Sequence, residues 1–170
     1  MGTSGRIRVF DCINYDRLIF NPNCPNNFVL NTPEDWRLVA TIFSCCDSYL
    51  DGVGKEIKQS LEGKNVVNGI SGNINRDEIF NTMREGAVRL LIDLYNWHEH
   101  DIDLVEAGFA SQDYNYDIYH NAKGEIYMRV YGFWGSPIYD GKIKDFDPVD
   151  KEEDEKRAAA DQKEGGGLPD

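Results

Sequence analysis

The pattern of apolar and polar positions divides the chain into a β-rich start, a helical middle and a β-rich end. Arg6 to Phe10 alternates, with Ile7 and Val9 on one side, which predicts a strand. Arg17 to Phe20 and Phe28 to Leu30 read as two further short strands around the turn-forming run Asn21-Pro22-Asn23-Cys24-Pro25-Asn26. A helix is then signalled by Thr32 as cap, Pro33 at the first helical position, and Glu34 and Asp35 in the first turn. Trp36, Val39, Phe43, Cys46 and Leu50 follow three or four residues apart, as do Leu38, Ile42, Cys45 and Tyr49. Such a wide apolar face predicts a deeply buried helix, ending near Gly52 or Gly54. A short second piece from Lys55 to Leu61 closes at Gly63.

Asn65 to Asn75 is polar and contains glycine, which predicts a loop. Asn75-Arg76-Asp77-Glu78 has the form of a capping box. Phe80, Met83, Ala87, Leu90 or Leu91, Leu94 and Trp97 keep a helical period, so a helix is expected from about Arg76 to about His98. It could resume over Asp101 to Ala107 and stop at Gly108. Beyond it, Tyr114, Tyr116, Ile118 and His120 alternate with Asn115, Asp117 and Tyr119. Asn121-Ala122-Lys123-Gly124 offers a turn with glycine where φ must be positive, and Ile126, Met128 and Val130 alternate on the return. This predicts a β-hairpin, broken at Gly135-Ser136-Pro137. Asp140-Gly141 suggests a second tight hairpin turn.

From Asp145 onward apolar residues nearly vanish. The expectation is one α+β domain over residues 1–144 followed by an acidic tail over 145–170. The domain would pack two long amphipathic helices on a small antiparallel sheet, in which N-terminal strands join the Tyr-rich β-hairpin.

Charge narrows the functional classes. Among 170 residues, 30 are acidic and 18 basic, a net charge of −12. Ten acidic and four basic residues lie in 145–170, so half of the net charge sits in the tail. An acidic surface repels nucleic-acid backbones and anionic lipid, and no Lys/Arg cluster offsets it. Direct nucleic-acid binding is not expected, and neither is membrane insertion, since no apolar run approaches the ~18 residues of a span. The four cysteines, Cys12, Cys24, Cys45 and Cys46, match no zinc or redox spacing. Reduced thiols in a cytoplasm, that of a host cell included, or in a virion, rather than secretion, follow from that usage. Frequent Asn, Ile, Tyr and Asp beside scarce Ala and Leu suggest an AT-rich genome such as a phage's.

Candidate chemistry is sparse. His98, His100, Asp101 and Asp103 could hold a divalent metal, although a solvated helix end accounts for the same residues. The pattern is not the metalloprotease His-Glu-x-x-His. No Gly-x-Ser-x-Gly elbow exists, and Cys45 and Cys46 within an apolar helix would be inert. His120 could serve as a base, yet core packing or hydrogen bonding explains it better. The loop Asn68 to Asn73 lacks the ending of a phosphate-binding P-loop. The acidic residues Asp140, Asp145, Asp147, Asp150 and Glu152 lack the spacing of an EF-hand.

A different signal comes from Tyr114, Tyr116, Tyr119, Tyr127, Tyr131, Phe133 and Trp134, seven aromatics in about twenty residues. Tyrosine is enriched at interfaces. The sequence therefore points to a non-enzymatic interaction component of a larger assembly, such as a phage or virus particle. It would bind a protein partner or its own copies through this hairpin, with no cofactor. Two alternatives are an acidic nucleic-acid mimic that inhibits a basic partner, and a small metal-dependent enzyme built on the His98–His100 region.

Overall fold

The computed structural model describes residues 2–12, 36–67, 77–98, 101–121, 123–132 and 135–149. Strand β1 spans Gly5–Cys12, β2 Trp36–Ser44, β3 Asn65–Val67, β4 Ile79–Asn81, β5 Ile102–Val105, β6 Tyr114–His120, β7 Ile126–Tyr131 and β8 Pro137–Lys142. Helix α1 spans Lys55–Leu61 and α2 spans Thr82–His98. A π-type turn, Leu50–Gly54, leads into α1.

Six strands form one mixed sheet in the order β5-β2-β1-β6-β7-β8, and β3 and β4 form a small parallel pair beside it. The sheet is therefore the larger element, and the expectation of two long helices on a small antiparallel sheet is corrected. β1 pairs with β2 antiparallel and with β6 parallel, so the N-terminal strand does join the Tyr-rich hairpin, but in the parallel sense. The helices pack on one sheet face over Ile7, Val9, Ile42, Tyr116, Ile118, Met128 and Val130. They hold each other through the Ser60 hydroxyl, which donates to Asp93 at 2.7 Å, and through a contact of His98 with Glu56.

The principal correction concerns residues 36–50. Trp36 to Ser44 is a strand, not the first turns of a long helix. The run Trp-Arg-Leu-Val-Ala-Thr-Ile-Phe-Ser is apolar at most positions, so it fits two periods at once. Its β-branched and aromatic members favour the pleated surface that β1 and β5 offer. The predicted cap at Thr32 and the strands at Arg17–Phe20 and Phe28–Leu30 lie outside the described residues.

Three smaller corrections have the same cause, a distant partner overriding a local signal. Ile102 to Val105 is an edge strand on β2 rather than a resumed helix. The long helix starts at Thr82 instead of near Arg76, because Ile79–Asn81 pairs with Asn65–Val67. Asn75 lies outside the described residues. Asp140-Gly141 is the interior of β8, where Gly141 stands opposite Met128, and the turn falls earlier, at Gly132 to Ser136.

Other expectations hold. α1 ends as the glycine signal predicts, with Gly63 at φ +73°. β6 and β7 pair from Asn115↔Tyr131 to His120↔Ile126, and Gly124 turns the hairpin at φ +78°. The Asn121 side-chain oxygen accepts the backbone N–H groups of Lys123 and Glu125 within that turn. The buried stripe of α2 is Met83, Gly86, Ala87, Leu90 and Leu94. Phe146, by contrast, falls in the expected tail but is buried against Tyr139, and its carbonyl accepts from Lys58, so packing runs past residue 144. Among the described residues, no helix is long and apolar enough to cross a membrane.

Candidate functional site

One concavity among the described residues follows from unequal strand lengths. β2 pairs with β1 from Trp36 to Ser44, with a register shift that leaves Val39 without a partner on β1, but β5 covers only Thr41–Ser44 on its other side. Among the described residues, Arg37–Ala40 has no strand partner there. α2 crosses above this stretch, and the gap is a groove of about 440 Å³. Its floor is Arg37, Leu38, Val39 and Ala40; its wall is Arg84, Ala87, Val88 and Leu91; Leu104 of β5 closes one end. Among the described residues that line it, only Arg37 and Arg84 are charged. That is unexpected on a chain of net charge −12.

The groove opens onto an apolar ridge. Val88, Ile92 and Tyr95 recur along the outer side of α2 at 58%, 51% and 50% exposure, and Leu104 is 65% exposed. Scattered apolar residues on a surface are ordinary; a row that continues into an apolar groove is a less common arrangement. Charges would be expected on the free side of a surface helix. The sequence displayed Val88, Ile92 and Tyr95 at four- and three-residue spacing. That signal was obscured because Leu90, Leu91 and Leu94 supply a competing apolar stripe.

Beneath the groove, three elements meet at one carboxylate. Asp11 of β1 accepts the backbone N–H of Met83 at 3.1 Å and lies 3.5 Å from Nε2 of His120. His120 Nδ1–H donates to the carbonyl of Asn121 at 2.9 Å, and the Trp36 ring meets the imidazole edge-on at 5.1 Å. Arg84 reaches toward the other carboxylate oxygen at 3.8 Å. Asp11 is 4% exposed and His120 1%, so this cluster clamps strand, helix and hairpin together and is closed to a substrate.

The sequence-predicted aromatic surface is placed differently from an open interface. Tyr114, Tyr116, Tyr119 and Tyr127 are buried, and Tyr131 is half-buried; Phe133 and Trp134 lie outside the described residues. Both faces of β6 are buried along its whole length. Tyr116 donates to the carbonyl of Ser48 at 2.7 Å, and Tyr119 donates to Asp140 at 2.7 Å. Burial first, and then that bond, raise the Tyr119 hydroxyl well above its ordinary pKa. Beside it, Arg8 grips Asp117 with Nε and Nη2 at 2.7 and 2.5 Å, and this bond leads in raising the Arg8 pKa.

The four proposed metal ligands do not form one cluster among the described residues. His98 is engaged with Glu56 of α1, Asp103 is exposed on β5, and His100 lies outside the described residues. Asp101 instead joins Cys45 and Cys46, with two sulfurs and a carboxylate oxygen within 4.8 Å of one another. The register Ser44↔Ile102 creates this trio, and the Cys45 N–H donates to the Asp101 carbonyl at 2.9 Å. Cys45 is exposed and Cys46 partly so, which corrects the expectation of inert thiols inside a helix. Two thiols and one carboxylate suit a thiophilic divalent ion but fall one ligand short of a closed tetrahedral zinc site. A second hollow of about 190 Å³ is rimmed by Lys64, Lys142 and Lys144, and its one carboxylate, Glu125, already pairs with Lys142 at 2.8 Å.

No family model, no curated protein and no solved structure matches the chain.

Proposed function

We propose that the protein is a non-enzymatic interaction component of a larger assembly, and that it binds a protein partner through the outer side of α2 and the adjoining groove. The observation that carries this reading is the continuity of Val88, Ile92, Tyr95 and Leu104 with an apolar groove. Desolvating such a row favours association at roughly 25 cal/mol per Å² of apolar area before the costs of ordering. The most conspicuous titratable pair, Asp11 and His120, is buried and serves packing. This moves the contact surface from the hairpin to the helix.

A photo-crosslinking amino acid at Ile92 or Tyr95, in the cell that makes the protein, tests the reading. The expected result is one discrete adduct from either position, none from the same group at Glu62 just past the end of α1, and loss of the adduct in Val88→Glu. Equal labelling from all three positions would refute it.

A further inference from the structure

We propose that the groove takes an extended peptide segment, which adds a strand to β2 along Arg37–Ala40 in line with β5 and presents carboxylates to Arg37 and Arg84. This rests on the reading of α2 and the groove as a protein-binding surface.

Three features argue for an extended occupant. First, β5 ends at Val105, and the chain turns away there, with the Phe109 N–H donating to the Glu106 carbonyl at 3.1 Å. The row that β5 begins is thus left unfinished beside β2. An edge of this kind is a template for another strand, and main-chain pairing supplies sequence-independent affinity. Second, the wall opposite this edge is low at its middle, where Ala87 stands between Arg84 and Leu91. Successive side chains of a strand point to opposite faces, so alternate apolar side chains of the segment would enter the groove and the others would face water. A helical occupant would cover the ridge but leave the Arg37–Ala40 edge unpaired.

The third feature is charge. Arg37 and Arg84 are both exposed, and guanidinium groups grip carboxylates in a bidentate fashion. None of the described residues lining the groove is acidic, and Arg84 reaches only Asp11 beneath it, at 3.8 Å, while the chain as a whole carries −12. A second copy of the chain is disfavoured as occupant because two bodies of the same large charge repel. The occupant is therefore a partner's extended segment with apolar residues at alternate positions and Asp, Glu or a terminal carboxylate beside them.

The probe is a displayed library of random octapeptides selected on the full chain. Recovered peptides should alternate apolar residues and carry at least one acidic group. A saturating recovered peptide should slow amide hydrogen exchange of Arg37–Ala40, and Arg37→Glu should weaken its binding about tenfold or more. Arg37→Lys should weaken it less, and Glu62→Lys should not change it. Arg37 is exposed and its side chain makes no ion pair among the described residues, so Arg37→Glu is expected to fold. Recovery of peptides with helical spacing that protect α2 instead would overturn strand addition and leave the surface reading standing. Slow exchange, in the free monomer, of those Arg37–Ala40 amides that do not pair with β1 would mean that the chain covers its own edge, and concentration-dependent protection of them would mean a second copy; either overturns the proposal. An unenriched library overturns it too, and the photo-crosslinks at Ile92 and Tyr95 then decide separately whether the surface binds protein at all.

Discussion

Asp11, near the end of β1, accepts the backbone N–H of Met83 at the start of α2, 72 residues further along the chain. The first four N–H groups of a helix have no intrahelical acceptor, and a side chain close in sequence ordinarily supplies one. Here a strand supplies it, so the cap and the docking of α2 on the sheet are one interaction. Asp11→Ala leaves a buried donor unsatisfied and should cost about 1–3 kcal/mol. Asp11→Asn keeps an acceptor and should cost less. Urea denaturation of the two variants beside the wild type checks the order.

The two sides of α2 should respond oppositely to substitution. Leu94 is fully buried, and Leu94→Ala should cost about 2–5 kcal/mol. Ile92 is half exposed, and Ile92→Lys should leave stability within about 0.5 kcal/mol of the wild type. The same change should abolish the photo-crosslink from Tyr95. A large destabilisation by Ile92→Lys would mean that this side of the helix is covered within the chain.

Gly124 sits at φ +78°, and a Cβ there would lie 2.0 Å from the carbonyl oxygen of Val66. The Val66 N–H donates to the Gly124 carbonyl at 2.8 Å, so the two backbones cannot simply part. Gly124→Ala should therefore cost more than about 2 kcal/mol through strain and lost pairing. Thermal unfolding of that single variant is sufficient to check it.

The Glu125 carboxyl is held below its ordinary range, chiefly by Lys142 at 2.8 Å and then by the Asn121 amide at 2.6 Å. A depressed folded-state pKa stabilises the fold above the unfolded value and ceases to do so as pH falls through the folded value. Lys142 is raised by the same bond, so the two partners agree in sign. Both groups are largely solvated, and the effect is that of an exposed pair. Glu125→Gln should lower the urea midpoint slightly at about pH 7, and the difference from the wild type should shrink as pH falls through the depressed folded-state value.

A hydrogen bond to Cys45, followed by partial burial, raises the Cys46 thiol above the ordinary range. Cys46 should alkylate more slowly than a free thiol at mildly alkaline pH, since the thiolate is the nucleophile. Cys45→Ala removes the leading cause and should speed the reaction at Cys46. Site-resolved mass spectrometry of iodoacetamide labelling checks both statements.

The sequence by itself determined the elements whose local signals agree with their surroundings. Alternation in Arg6–Phe10 and in the Tyr114–Tyr131 hairpin, the glycine at 124, the stop at Gly63 and the Met83–Leu94 stripe each name a structure that a single segment can satisfy. It also determined the charge imbalance, which is a sum over residues. Tertiary structure alone decided the rest. Trp36–Ser44 is apolar enough to suit a buried helix or a two-sided strand, and only its neighbours β1 and β5 resolve the choice. Asp140-Gly141 became strand interior because β7 offered it a ladder. The candidate site was illegible for the same reason. The groove exists because β5 is shorter than β2, the trio at Cys45 because of their register, and the helix cap because Asp11 lies opposite Met83. Each is a relation between segments far apart in sequence, and a periodicity, which reports one segment against an unspecified core, carries no record of it.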